Sequence, residues 1–312
     1  MATTLRAAAS IRLRNILLLT DFSEASGKSV PFARAMARWH GATVHALHVL
    51  TPDPLVAAAP ETASMAFAAK SELAFSSMRQ TETQLAGVEY QCLVEQSLNV
   101  WDGVDQAIRD YSIDLIVLGS HGRTGAQRFL LGSTGEEIFR RAPVPVLTVG
   151  PAARFCSENR DGFRRILFAT DFTPSSMAAA PLAAMLAASD GARMMLLHVL
   201  PMAGPHNGGE GNKVSVAETI HQLSSVMPPE IQLPVAPEAL IEFGKPVERI
   251  VEVARYRLAD AIVLGVHSAR GHLGTATHLE RAMAHEVVVQ APCPVVTVSG
   301  ENYAVPNRAM AI

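Results

Sequence analysis

Between Gly119 and Thr134 the chain reads Gly-Ser-His-Gly-Arg-Thr-Gly-Ala-Gln-Arg-Phe-Leu-Leu-Gly-Ser-Thr, a composition suited to holding an anion. Gly119, Gly122 and Gly132 remove side chains where main-chain N–H groups would have to approach a ligand closely. Ser133 and Thr134 then place hydroxyls at the start of a helix-like stretch. There the free N–H groups of a first helical turn and the helix dipole favour phosphate. His121 falls in the same loop, and Arg123 and Arg128 could add charge. A second reading fits the same letters: Ser133-x-x-Glu136 is also a capping box, and the glycines would then be turn residues. Asp21, just past an apolar run ending at Leu19, is open in the same way. It is either a carboxylate facing a ligand or an N-cap or turn residue at the strand end.

Other residues invite chemistry and do not sustain it. Ser26-Gly27-Lys28-Ser29 suggests a P-loop, but that motif needs a glycine five positions before Gly27, where Phe22 stands. Lys28 therefore reads as a solvated helix residue. His267, His272, His278 and His285 are loosely grouped, yet they form no i, i+4 pair and no cysteine lies near them, so no metal site is expected. His48 and His198 end apolar runs and read as structural. No Gly-x-Ser-x-Gly elbow is present, which leaves nucleophilic catalysis without support.

The elements that must position the glycine loop come in two sets. Arg14-Asn15-Ile16-Leu17-Leu18-Leu19-Thr20-Asp21-Phe22 returns as Arg164-Arg165-Ile166-Leu167-Phe168-Ala169-Thr170-Asp171-Phe172. His48-Val49-Leu50 returns as His198-Val199-Leu200, and Val117-Leu118-Gly119 as Val263-Leu264-Gly265. One domain is written twice, over residues 11–150 and 163–300. In the first copy apolar runs predict strands at 14–20, 43–49, 88–94, 114–119 and 145–149. Helices are predicted at 24–39, 62–85, 99–110 and 133–141. The second copy predicts strands at 165–170, 193–199, 231–242, 260–265 and 294–298, with helices at 175–189, 213–226, 246–258 and 277–290. Alternation of this kind specifies an α/β class, with two tandem doubly wound five-stranded parallel-sheet domains. Such a sheet binds ligands beyond the carboxyl ends of its strands, where the winding reverses. With the first and fourth strands adjacent, Asp21 and the loop after Gly119 face each other across that crevice. Residues 150–163 link the copies, and both Pro201–Lys213 and the last dozen residues read as irregular.

Composition narrows the function. The chain has 312 residues, 49% hydrophobic and 18% charged, enough for two packed cores. A net charge of −3 gives no footprint for nucleic acid or an anionic membrane. No stretch is long and apolar enough to span a bilayer, and Met1–Ser10 lacks a signal-peptide core. Three scattered cysteines without CxxC spacing read as reduced thiols in the cytoplasm.

The spacing Gly-x2-Gly-x9-Gly-Ser, carried by Gly119, Gly122, Gly132 and Ser133, resembles the nucleotide-binding signature of the universal stress protein family. Thr20-Asp21-Phe22-Ser23, His48-Val49-Leu50 and Ala142-Pro143-x-Pro145-Val146 are also similar to that family. The whole chain looks like a tandem universal stress protein. The resemblance implies a Rossmann-like, adenine nucleotide alpha hydrolase-like fold with ATP, accompanied by Mg²⁺, between the first and fourth strands. It also implies that Leu19 and Asp21 meet the adenosine end, that Val44 lines the adenine pocket, and that Leu118 and Gly119 close it. Gly122, Gly132, Ser133 and Thr134 would hold ribose and phosphates, with His121 and Arg123 beside them. A nucleotide-dependent regulator of stress responses is the expectation, rather than an enzyme. A slow ATP hydrolase or phosphotransferase, and a ligand-free interaction scaffold, are its rivals.

The second copy departs from the signature. Ser268 stands where Gly122 stood, and Arg281 and Ala282 replace Gly132 and Ser133 when counted back from Pro292. A capping box at Thr277-x-x-Glu280 predicts a helix extended into the loop, and hence a lost or altered site. The apolar segments Val144–Val149 and Pro294–Val298 are sheet edges that would invite aggregation if left open. In the family that the chain resembles, the last strands of two domains pair across a two-fold axis. The resemblance therefore implies that these segments pair within the chain as a pseudo-symmetric monomer, with higher homo-oligomers left open.

Overall fold

Asp114 and Asp260 begin the argument for topology, because each ties two strand starts together. The Asp114 carboxylate accepts the N–H groups of Arg14 and Asn15 at 2.7 and 3.0 Å. Asp260 does the same for Arg164 and Arg165 at 2.8 and 2.9 Å. In each half the first strand is thereby held beside the fourth, which is the point where the winding direction changes. The computed structural model describes residues 13–52, 60–120, 132–155, 162–202, 216–266 and 275–299.

The first half runs β1 (Asn15–Leu19), α1 (Glu24–Gly27), α2 (Val30–His40), β2 (Thr43–Leu50), α3 (Pro60–Gln84), β3 (Tyr90–Gln96), α4 (Val100–Asp110), β4 (Leu115–Gly119), α5 (Ser133–Arg141) and β5 (Val146–Val149). The second runs β6 (Arg165–Ala169), α6 (Pro174–Met177), α7 (Ala180–Asp190), β7 (Arg193–Leu200), α8 (Val216–Ser225), β8 (Glu238–Phe243), α9 (Pro246–Tyr256), β9 (Ala261–Val266), α10 (Thr275–Gln290) and β10 (Val295–Ser299). All ten strands form one sheet in the order β3-β2-β1-β4-β5-β10-β9-β6-β7-β8. Every pairing is parallel except β5 with β10, where Val146, Leu147 and Thr148 run antiparallel to Thr297, Val296 and Val295. The expected intrachain pairing of the two edges is therefore present, and it begins just after Pro145 and Pro294. Those prolines cannot donate to a ladder, but their carbonyls accept from Ile116 and Ile262 at 3.0 and 3.1 Å.

Three expectations need correction. The helices predicted at 24–39 and 175–189 are each two pieces, because Pro31 and Pro181 lack the N–H that a continuous helix would use. The strand predicted at 231–242 is confined to Glu238–Phe243; Pro234 and Pro237 precede it. Lys28 caps the short α1 and pairs with Glu24 at 3.2 Å, a solvated role as expected.

Alternation along each strand separates two faces. Ile16, Leu18, Val44, Ala46 and Val117 face α2 and α3, in an apolar cluster that continues into α7 of the second half. Leu17, Leu47, Ile116 and Leu118 face α4 and α5. The second half has its own cluster under α9 and α10. Gly150 seals the junction: a Cβ there would stand 2.0 Å from the carbonyl oxygen of Val288 in α10, so only glycine lets the two backbones meet. Trp39 and Phe163 stack edge to face across the halves at 5.2 Å, as do Phe32 and Phe155 at 5.1 Å. Cys92 and Cys293 are free thiols, and burial first, then Glu82, pushes the Cys92 thiol up to about 11. No helix among the described residues is long and apolar enough to cross a membrane.

Candidate functional site

The carboxyl ends of β1, β2 and β4 and the start of α5 surround a cavity of about 300 Å³. Leu19, Leu47, Val49, Val100, Leu118 and Ile138 give the lining its apolar side chains, while Thr20, Asp21, Ser26, His48, Ser120, Ser133 and Thr134 give it its polar ones. The wall chemistry follows from register. Leu17, Leu47 and Leu118 share the sheet face covered by α4 and α5, and the cavity opens where that face runs out. Asn99 caps α4 by accepting the Asp102 N–H at 2.9 Å, which holds Val100 at the rim. Arg141 at the end of α5 lies 4.7 Å over the Trp101 ring of α4, fixing the two helices beside one another.

The turn after β1 is built identically in both halves. Phe22 and Phe172 adopt left-handed φ values of 60° and 63°. Their N–H groups donate to the Thr20 and Thr170 hydroxyls, both at 3.0 Å. His48 Nδ1 lies 2.8 Å from the Thr20 carbonyl oxygen, and His198 Nδ1 the same distance from that of Thr170. Each imidazole also stacks on the phenylalanine of its own turn. These histidines are structural, as expected, although His48 borders the cavity. Asp21 accepts the Ser23 N–H at 3.0 Å, and Ser23, not Asp21, caps α1. The capping role for Asp21 falls away, and its place on the cavity wall stands. In the second half, burial pushes the Asp171 carboxyl up, but hydrogen bonds from Thr173 and Ser176 outweigh it and hold the group below its ordinary value.

Gly132 is the N-cap of α5 and Ser133 its first helical residue, so the capping box Ser133-x-x-Glu136 is not formed. No side chain caps the first turn of α5, whose Ser133, Thr134 and Gly135 all line the cavity. Gly132 donates to the Ser120 carbonyl at 3.1 Å, which brings the helix start against the end of β4. An uncapped first turn directed at a concave site is a fitted receptor for an anionic oxygen. Gly119 has a different duty from the one its loop position suggested. A Cβ there would lie 2.2 Å from the Ala25 carbonyl oxygen, and at Gly265 one would lie 2.0 Å from that of Ser175. Both glycines exist so that α1 and α6 can press on β4 and β9.

The structure brings Leu19, Asp21, Leu118, Gly119, Gly132, Ser133 and Thr134 together around one cavity. It does not place Val44 there. Val44 is fully buried near the start of β2, on the α2 and α3 face of the sheet, because the period of two sends positions 44 and 47 to opposite sides. Leu47 and Val49 occupy the place assigned to it. The repeat His48-Val49-Leu50 carried the signal, since it marks the carboxyl end of the strand. Val100 and Ile138 were also missed, as apolar helix residues look the same whether they fill a core or a cavity wall. His121, Gly122 and Arg123 lie outside the described residues.

In the second half α10 has 16 residues where α5 has 9. The expected lengthening is present, starting at Thr275, two positions before Thr277. Gly271, Gly274, His267, Ser268 and His272 lie outside the described residues. No cluster of three or more His, Cys, Asp or Glu able to hold a metal occurs among the described residues.

A sequence model of the universal stress protein family matches residues 12–150 and again 162–299. Universal stress protein MJ0531 of Methanocaldococcus jannaschii is 28% identical over 141 residues, covering 44% of this chain and 81% of that protein. A universal stress protein of Thermus aquaticus is 28% identical over 138 residues, covering 44% of this chain and 98% of that one. Among solved structures, a universal stress protein from Archaeoglobus fulgidus superposes with a TM-score of 0.66 at 20% identity, covering 93% of this chain and all of that one (100%). That likeness concerns the fold.

Proposed function

The chain belongs to the universal stress protein family, and from that premise we propose that its first half binds ATP and acts as a nucleotide-dependent regulator in a stress response. One observation carries the proposal. The uncapped first turn of α5 and the carboxyl ends of β1 and β4 open into one cavity that both apolar and polar side chains line. That mixed lining suits an adenine ring at Leu19, Val49, Val100 and Leu118, with phosphates toward the N–H groups of Ser133, Thr134 and Gly135. Asp21 supplies a carboxylate to accept from sugar hydroxyls. It is the only carboxylate on the cavity wall among the described residues. Mg²⁺ would arrive on the phosphates, which is its usual mode, and needs no cage of protein ligands.

Binding without turnover is the reading favoured here. Phosphoryl transfer needs a group to orient or deprotonate the nucleophile. Asp21 and His48 are held in the turn after β1 by the Ser23 N–H and the Thr20 carbonyl, and no second carboxylate, lysine or arginine lines the cavity among the described residues. Mass spectrometry of nucleotide carried through purification is the test. Retained ATP is the expected result. ADP released with continuing turnover would make the protein a hydrolase, and the absence of both, with no uptake of added ATP, would reduce it to a scaffold.

A further inference from the structure

The second half carries a cavity at the opposite end of its sheet from the crevice of the family fold. It is about 470 Å³ and is lined by Arg154, Arg164, Arg165 and Arg255, with Asp260 as its one carboxylate. The four arginines arrive from three parts of the chain. Arg154 comes from the segment joining the halves, Arg164 and Arg165 from the start of β6, and Arg255 from the last turn of α9. The joining segment is held in place by its own backbone, since Arg154 donates its N–H to the Pro292 carbonyl at 3.0 Å. Arg165 reaches only two main-chain carbonyls, those of Arg257 and Leu258, both at 3.4 Å. Arg164 and Arg255 have no carboxylate partner among the described residues, whereas nearby Arg249 and Arg257 are paired with Glu252 and Glu238. Asp260 offsets one of these positive charges, and its carboxylate accepts the main-chain N–H groups of Arg164 and Arg165.

The first half has the makings of the same feature and spends them otherwise. Arg109, at the position of Arg255, is paired with Asp105, and Arg141, at the position of Gln290, is paired with Glu137. The second half lacks those pairings and gains Arg154 from the segment between the halves. Four arginines and one aspartate line this one concavity, in a protein whose net charge is −3; Arg164 and Arg255 are the two whose charge the site depends on. Guanidinium forks match phosphate oxygens two at a time. The rest of the lining is Ala152, Ala254, Leu258, Ala259 and Pro292, with Gln290 as its one other polar side chain, and a volume of about 470 Å³ suits a small molecule.

We propose that this arginine-lined cavity between the joining segment and the second half is a binding site for a small phosphorylated anion, separate from the crevice of the first half. It rests on different residues from the proposed ATP site and stands or falls apart from it. The test is calorimetric titration of the full chain with inorganic pyrophosphate, comparing wild type with Arg164→Gln/Arg255→Gln. One equivalent of pyrophosphate should weaken by about tenfold or more in the double variant, as expected on losing charge-assisted bonds, while ATP uptake and the circular dichroism spectrum stay unchanged. A control variant, Lys28→Gln/Arg79→Gln, removes the same charge outside the cavity and should bind as wild type does. Superposable isotherms for wild type and the double variant would overturn the proposal. So would equal weakening in the control, which would reduce the effect to net charge, or no pyrophosphate uptake by the wild type at millimolar concentration.

Discussion

Two glycines that look alike in the sequence do different physical work. At Gly119 a Cβ would sit 2.2 Å from a backbone carbonyl oxygen that has no freedom to retreat. Gly119→Ala should therefore lower stability by about 1–3 kcal/mol through overpacking, with the loss read by denaturant unfolding. Gly132 has φ −58° and ψ 152°, which any residue adopts without strain. Gly132→Val should leave stability close to wild type and weaken ATP by about a hundredfold, ~3 kcal/mol, because a branched side chain keeps phosphate off the first turn of α5. If calorimetry finds Gly132→Val binding ATP as tightly as wild type, Gly132 is merely a turn residue. The repeat made both glycines visible, but only the contact to Ala25 separated their roles.

At the scale of elements, the two halves differ most where α5 and α10 begin. α5 starts at Ser133 behind an N-cap with no side chain, and α10 is longer by nearly two turns. Helix that extends toward the crevice takes up the room and the N–H groups that phosphate would use. One ATP per chain is the expected stoichiometry by titration, and two equivalent sites would contradict this account of α10. The strands before these helices are nearly interchangeable. Asp114 and Asp260 make the same pair of backbone bonds, and the histidine–threonine contacts repeat at 2.8 Å. Duplication preserved the turn after the first strand in both halves, while the helices that begin at Ser133 and Thr275 came to differ in length.

For the whole molecule, the pairing of β5 with β10 removes an open edge from each half. The first half alone, ending at Pro151, should self-associate through Val146–Val149, and light scattering that finds it strictly monomeric at micromolar concentration would count against that role. The join also contains a buried polar pair. His40 and Asp190 are equivalent positions of the repeat, each just before a left-handed glycine, and their side chains meet at 3.8 Å while 3% and 2% exposed. A repeat that brings one position against its own copy can be complementary there only if the two residues differ. Burial pushes the Asp190 carboxyl up to about 6, with only the Phe163 N–H pulling it down, and burial lowers His40. Both shifts favour the neutral forms, so desolvation outweighs the attraction between the two. A carboxyl with a raised folded pKa holds its proton more tightly when folded. Its contribution is fully present below the unfolded value and is lost as pH rises through about 6. His40 acts in the other direction, costing stability as pH falls below 6.5. Asp190→Asn keeps an acceptor for Phe163 and cannot ionise. It should therefore exceed wild type in stability at pH 8 by up to about 3 kcal/mol, with the gap closing near pH 4. Equal pH profiles from denaturant unfolding would show that the ionised carboxylate carries no cost.

The repeat, the alternation of strands with helices, and the place of Asp21 and Ser133 at one crevice were legible in the letters, and each depends on local pattern: a period of two, a cap, a proline, a glycine at a strand end. The pairing of the two edges, which joins segments distant in sequence, was expected from the family resemblance. Tertiary structure decided what depends on a partner distant in sequence. It put Leu47 and Val49, not Val44, on the cavity wall, since which face of β2 meets α4 is settled by packing and not by hydrophobicity. It broke α1 from α2 at a proline whose effect a helical pattern had concealed. It turned Gly119 toward Ala25, set His40 against Asp190 across the join, and gathered Arg154, Arg164, Arg165 and Arg255 from three elements into one cavity. Composition counts charges, but only the fold determines which of them are left facing the same empty volume.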